Sequence, residues 1–310
     1  MVHANPSATA LLPIFSTALK TFTAFKSPFV VLRTLPSPSM TIPPQTIYVL
    51  DSSFNPPTVA HLRIASSAIE DHYKRNANPS SACRLILLLA TQNADKPAQP
   101  ASFEDRLVMM TLFAQDLLQY LAEAKSLPTM EPENEGPPSN LAIDIAITSY
   151  PRFIDKASAI ASTAPFKRPA TKTNLFPAPT EQYHLIGYDT LTRLLSPKYY
   201  PPNHDLSPLG DLFAHHRLRV TYRLSSDNKY GDREGQDRYL RDLRGGKREA
   251  EGGKREWAKR IEMEEGLGYG TSSTAVREAI FKGEDEGKEA VKEMCTRNVG
   301  EWIFGQGLYR

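Results

Sequence analysis

Apolar residues fall into two rhythms along this chain, and the two alternate. Short runs rich in apolar residues at 47–50, 85–90, 141–147, 184–187 and 218–222 have the length of buried strands, and 85–90 is wholly apolar. Between them the period lengthens to that of a helix. Residues 58–72 place Leu62, Ile64, Ala65, Ala68 and Ile69 on one stripe. Residues 104–123 do the same with Leu107, Met110, Leu112, Phe113, Leu117, Leu118 and Leu121. A helix through Leu191 and Leu195 follows the fourth run, and residues 273–281 and 286–304 read as helices near the C-terminus. Strands alternating with helices predict an α/β fold, a parallel sheet with helices on both faces. No internal repeat is visible.

The pattern also divides the chain. Residues 1–43 read as an N-terminal extension of a domain over 44–310. Leu12, Phe15, Leu19 and Phe22 recur there at helical spacing among Ser and Thr. The first forty residues hold Lys20, Lys26 and Arg33 and no acidic residue, the first being Asp51. Two readings follow: an amphipathic transit peptide, or a helix that docks on the fold or frays. Pro13 and Lys20 interrupt the stretch too much for a secretory signal. Residues near 126–140, rich in Pro and Glu, read as an exposed linker. Residues near 161–180 read as an insertion. Residues near 227–265, dense in both signs of charge, read as a solvated loop or loose surface helix.

Composition narrows the function classes. The chain has 310 residues, 40% of them hydrophobic, enough for a sizeable core. A net charge of +2 gives no large single-sign field for nucleic acid or an acidic membrane. No unbroken apolar run approaches the ~20 residues a membrane span needs. Cys83 and Cys295 have no metal or disulfide spacing, and a reducing compartment fits. The expected location is cytoplasmic and/or nuclear, or mitochondrial if residues 1–40 are a transit peptide. His204, His215 and His216 lie near Asp205 and Asp211, but the spacing matches no standard ligand set. They are expected at the surface or in loops, and no protein-held metal is expected.

The candidate chemistry lies in two distant segments. Ser52-Ser53-Phe54-Asn55-Pro56-Pro57-Thr58-Val59-Ala60-His61 joins the first strand to a helix. Pro56 and Pro57 stiffen the loop and delay the helix, so Thr58 reads as its N-cap. His61 then stands one turn in, able to donate to a phosphoryl oxygen. Thr271-Ser272-Ser273-Thr274-Ala275-Val276-Arg277 opens a late helix. Hydroxyls, free N–H groups and a guanidinium suit a β- or γ-phosphate. Taken singly, each segment reads equally as an ordinary cap with a packed His or a surface Arg. In a parallel sheet, ligands bind at the carboxyl ends of the strands. Both segments, Lys96 and the turn Gly187-Tyr188-Asp189 should share that edge.

The pair resembles the nucleotidylyltransferase superfamily, most closely the nicotinamide mononucleotide adenylyltransferases. That family has a Gly-Ser-Phe-Asn-Pro loop leading to a (His/Thr)-x-(Gly/Met)-His element, matched here by Ser52–Pro56 and Thr58–His61. Its Ile-Ser-Ser-Thr-x-x-Arg element is matched by Thr271–Arg277, and its Gly-x-Asp turn by Gly187-Tyr188-Asp189. A family loop lysine resembles Lys96, and the helix start after it resembles Glu104-Asp105-Arg106-Leu107. The resemblance spans roughly residues 47–309. It implies a Rossmann-like fold of the HxGH type and adenylyl transfer from ATP to nicotinamide mononucleotide, giving NAD and pyrophosphate. ATP is then a substrate that carries its Mg²⁺, and the partners are small nucleotides. His61 would contact the α-phosphate. Ser273, Thr274 and Arg277 would hold the departing pyrophosphate, Ser272 would belong to the nucleotide site, and Lys96 would neutralise phosphate charge. Asp189 would accept from a ribose hydroxyl. Ser52, Ser53, Phe54, Thr58 and Gly187 would complete the nucleotide site.

The departures concern the acceptor. Ser52 replaces the first loop glycine and is strained if that position needs a positive φ. The family's pocket tryptophans have no evident counterpart, since Trp257 lies in the charged stretch and Trp302 in the last helix. Tyr150, Phe153, Tyr199 and Tyr200 occupy comparable stretches and could stack on a base. Two alternatives follow. One is an ATP-hydrolysing relative with a decayed mononucleotide site. The other is a non-catalytic nucleotide-binding adaptor with protein partners at the N-terminus or the charged stretch.

Overall fold

Seven strands form one sheet. They are β1 (Phe29–Leu35), β2 (Thr46–Asp51), β3 (Cys83–Ala90), β4 (Leu141–Thr148), β5 (Glu181–Gly187), β6 (Arg217–Thr221) and β7 (Ile261–Glu264). The computed structural model describes residues 6–36, 44–75, 82–92, 100–125, 141–164, 166–167, 179–224, 230–266 and 271–310. The order across the sheet is β1-β4-β3-β2-β5-β6-β7. Only β1 runs antiparallel, against β4; every other pairing is parallel. Setting β1 aside, the remaining strands follow the doubly wound Rossmann order, with the winding reversing between β2 and β5.

The central strands β2 and β3 are nearly all apolar because both faces of the sheet are covered there. Alternate residues go to opposite sides. Tyr48, Leu50, Leu85, Leu87 and Leu89 pack on one face, with the helices Val59–Arg75, Phe103–Lys125 and Arg297–Gln306. Ile47, Val49, Ile86 and Leu88 pack on the other, against Ala159 and Ile160 of the helix Phe153–Ser162. The five predicted strands and the main helices are all present.

The N-terminal stretch is more integrated than an extension. Its helix Leu11–Phe25 buries Phe15 and Phe22, each worth about 1.5–3 kcal/mol of burial. Over Ser7–Phe25 the helical segment is also long and apolar enough, by length and composition, to cross a membrane. Residues 29–35, unassigned by the sequence, add the edge strand β1. The register of β1 is fixed by a buried charge. Arg84 of β3 donates to Asp144 of β4 at 2.8 Å, and Thr34 of β1 donates to the same carboxylate at 2.6 Å.

The charged stretch 227–265 differs from its expectation as a solvated loop or loose helix. Its described part holds the amphipathic helix Arg233–Arg244 and strand β7. Trp257 stacks on Phe213 at 4.8 Å between centroids, inside a core cluster with Leu218 and Val220. Dense surface charge concealed a half-buried strand of only four residues. The linker near 126–140 lies outside the described residues. In the expected insertion near 161–180, Phe166 is fully buried and accepts through its carbonyl from Thr180, tying the two ends together at 3.0 Å.

Of the three histidines read as surface or loop, His216 is buried. Its Nδ1 accepts from the Gln182 N–H at 3.2 Å. Behind it His184 is closed off on β5, with no hydrogen-bond partner for either ring nitrogen among the described residues. Burial, then His216 and Lys156, lower the His184 pKa to about 3; burial, then His215 and Arg260, lower that of His216 to about 4. Both are therefore neutral in the fold, while the unfolded chain binds protons near pH 6.5. Stability is full above that pH and declines as pH falls toward these folded values. His184→Gln should remove about 2 kcal/mol of the stability difference between roughly pH 6.5 and 5. Urea unfolding of both proteins at the two pH values measures it.

Candidate functional site

Where the winding reverses, the carboxyl ends of β2 and β5 open a cleft of about 820 Å³. Its wall includes Ser52, Ser53, Thr58 and His61 after β2, and Gly187 and Asp189 after β5. Ser272, Ser273, Thr274 and Arg277 close it from the helix Ser273–Lys282. The two sequence segments therefore meet at one site. Lys96 lies outside the described residues.

His61 is set by its own helix. The Thr58 carbonyl accepts from Leu62 N–H at 3.1 Å, which makes Thr58 the N-cap. The Thr58 N–H donates to His61 Nδ1 at 3.0 Å, the side-chain half of a capping box with imidazole in place of the usual carboxylate. The Thr58 hydroxyl lies 2.9 Å from the same nitrogen. With Nδ1 accepting, the proton sits on Nε2, and Nε2–H donates to Ser52 Oγ at 2.9 Å. Burial, then the Arg223 guanidinium, lower the pKa to about 4. His61 is thus a neutral single donor aimed at the first hydroxyl of the loop.

The loop itself is clamped by the C-terminal segment. Arg277 donates to the Asn55 carbonyl at 2.6 Å, and Ser273 Oγ donates to the Pro56 carbonyl at 2.7 Å. Tyr309 donates to Asn55 Oδ1 at 2.7 Å, and Arg106 donates to the Ser53 carbonyl at 2.7 Å. These bonds satisfy a buried turn that has no other partner strand. Ser272 caps the late helix by accepting from Ala275 N–H at 3.1 Å. The N–H groups of Ser273 and Thr274 then form an open anion-binding end. Arg277 also reaches Thr274 Oγ1 at 3.3 Å.

Several expected roles change. The positive φ in the loop falls on Phe54, at 45°, and not on Ser52. That turn drives the Phe54 side chain inward, fully buried with its centroid 5.4 Å from the His61 ring, so it backs the imidazole instead of lining the cleft. Tyr150 is exposed, 39%, and not part of the cleft wall. Phe153, Tyr199 and Tyr200 do line it, although Tyr200 is buried with its hydroxyl donating to the Leu194 carbonyl. Trp257 and Trp302 are buried away from it. Asp51, Lys156, Arg152, Arg193 and Arg223 line the cleft without having been singled out. Only a strand-end position after β2 or β6 could have marked Asp51 and Arg223 in the sequence. Among the described residues no group of three His, Cys, Asp or Glu could hold a metal ion.

Asp189 lies between Arg193 at 3.5 Å and Arg223 at 3.8 Å. Its carboxylate folds back over Gly187, where an added Cβ would meet Oδ1 at 2.6 Å. Gly187→Ala should therefore displace the Asp189 carboxylate and, on the nucleotide role that the family resemblance implies for it, weaken nucleotide binding about tenfold, the scale of one charge-assisted contact. Calorimetric titration with an ATP analogue reads this, alongside a circular dichroism spectrum that should not change.

No family model matches the chain. It is 29% identical over 256 residues, 82% of its length and 83% of the other's, to a Schizosaccharomyces pombe protein described as "Putative nicotinamide mononucleotide adenylyltransferase". Among solved structures, Plasmodium falciparum nicotinic acid mononucleotide adenylyltransferase complexed with NaAD aligns at a TM-score of 0.49 and 12% identity, covering 85% of this chain and 97% of that one. A Vibrio parahaemolyticus nicotinate-nucleotide adenylyltransferase structure, itself named with the same reservation as the yeast protein, aligns at 0.31 and 14%, covering 86% and 95%. In its paired motifs, and over most of its length to the yeast relative, the chain is similar to the nicotinamide mononucleotide adenylyltransferases.

Proposed function

We propose that this protein transfers the adenylyl group of ATP to a pyridine mononucleotide, forming a dinucleotide and pyrophosphate. The observation that carries the reading is the meeting of His61 with Arg277 and an open helix N-terminus at one cleft. An acceptor phosphate oxygen attacks the α-phosphorus. One P–O bond forms there, the bond to the bridging oxygen of the β-phosphate breaks, and pyrophosphate leaves with the electron pair. No protein nucleophile is needed, so positioning and charge stabilisation carry the catalysis.

Each group has a role in that step. His61 Nε2–H turns from Ser52 Oγ to the α-phosphoryl oxygen as charge builds there. Being neutral already, it has no proton to lose at physiological pH. Arg277 uses two of its five donors on Asn55 and Thr274. The others face the departing pyrophosphate with the N–H groups of Ser273 and Thr274. Asp189 accepts from a ribose hydroxyl, and Mg²⁺ enters with ATP. Lys96 and the cell compartment, cytoplasmic, nuclear or mitochondrial, stay part of the proposal.

The absence of Trp257 and Trp302 from the cleft favours one rival, ATP hydrolysis at the same site. One assay separates the two. Protein with ATP, Mg²⁺ and nicotinamide mononucleotide should release pyrophosphate and form NAD. Inorganic phosphate without dinucleotide would support hydrolysis instead. His61→Ala should lower turnover about 100-fold or more. Because the His61 pKa lies near 4, the wild-type rate should show no acid limb from this residue above about pH 5.

A further inference from the structure

The floor of the cleft carries a charge pair that the scheme above does not use. Asp51 ends β2, directly before Ser52, and its carboxylate accepts from the Lys156 ammonium. The two side chains are 10% and 6% exposed. Both line the cleft. Lys156 lies over the Phe153 ring, 5.3 Å from its centroid.

Stability alone is a poor reason for this pair. Buried ion pairs repay their desolvation badly, and apolar side chains of similar volume often serve as well. A carboxylate beneath a phosphate site also repels the ligand. Lys156 cancels that repulsion. Its ammonium has three donors, and Asp51 takes one.

The direction of approach separates this cation from the others. The helix of Arg277 packs Val276 on the face of the sheet that holds Leu50 and Leu87. The helix of Lys156 packs Ile160 on the opposite face, with Ile47 and Val49. An in-line transfer needs phosphates on both sides of the α-phosphorus. Arg277 and the late helix supply one side. Lys156, with Phe153 and Tyr199 beside it in the wall, supplies the other.

We infer that Lys156, held in place by Asp51, receives the 5′-phosphate of the acceptor mononucleotide. This rests on the adenylyl-transfer reading. Lys156 touches the substrate, and Asp51 is a positioning residue acting through it.

The test compares two probes by equilibrium titration of the full chain with a non-hydrolysable ATP analogue present. One is nicotinamide mononucleotide; the other is nicotinamide riboside, which lacks the phosphate. Wild type should prefer the mononucleotide. Lys156→Met should reduce that preference roughly tenfold or more, the loss expected for a charged hydrogen bond to phosphate. Riboside and ATP-analogue affinities should hold. Since Lys156→Met leaves Asp51 buried without a partner, the double variant Asp51→Asn/Lys156→Met is measured beside it and should show the same loss. Lys156→Arg should keep part of the preference. The inference is overturned by an unchanged preference, by equal weakening of both probes, or by no preference in wild type. A wild type that forms no dinucleotide but loses its preference with Lys156→Met would retire the transfer reading and keep the phosphate site. Dinucleotide formation with an unaltered preference would do the reverse.

Discussion

The site depends on a turn that cannot support itself. Residues 53–56 leave β2 without a partner strand, and their carbonyls would be orphaned in a buried position. Those of Ser53, Asn55 and Pro56 are taken up by donors from distant parts of the chain, Arg106, Arg277 and Ser273, with Tyr309 holding the Asn55 side chain. The contact between Arg277 and Asn55 joins residues 222 apart in sequence. With the Ser273–Pro56 bond it fixes the late helix N-terminus against the loop.

Charge in the cleft is managed by geometry more than by number. Arg277 and Arg106 are held by carbonyls, which leaves their full positive charge for a ligand. Burial lowers the Arg106 pKa to about 10, still far above neutrality. Arg193 and Arg223 flank Asp189, two cations against one carboxylate, so the group keeps a net positive charge. His61 is kept neutral by burial and by Arg223. The cleft combines fixed cations with one uncharged donor, the equipment for stabilising charge that forms during a reaction.

Much of this was legible in the sequence, for identifiable reasons. Continuous apolar runs such as 85–90, too short for a helix, read as strands covered on both faces, and helix caps are written locally at Thr58 and Ser272. What failed was whatever depends on tertiary context. Strand β7 is too short and too charged to be seen as a strand, and β1 owes its place to antiparallel pairing with β4 and to the Thr34–Asp144 bond. Phe54 had the right position in the motif but faces the interior, because its positive φ is invisible in a residue name. Lys156 and Asp51 lie 105 residues apart, and nothing local marks either as half of a pair.

The clamp by Tyr309 has a consequence for biogenesis. A ribosome delivers β2 and its loop long before residue 309 emerges, so the nascent domain holds a nucleotide pocket whose rim has not yet arrived. Contacts spanning such separations close late, since chain closure precedes their reward. Until residues 273–309 are made, the turn lacks three of its four distant donors, and it gains a fixed shape only with them.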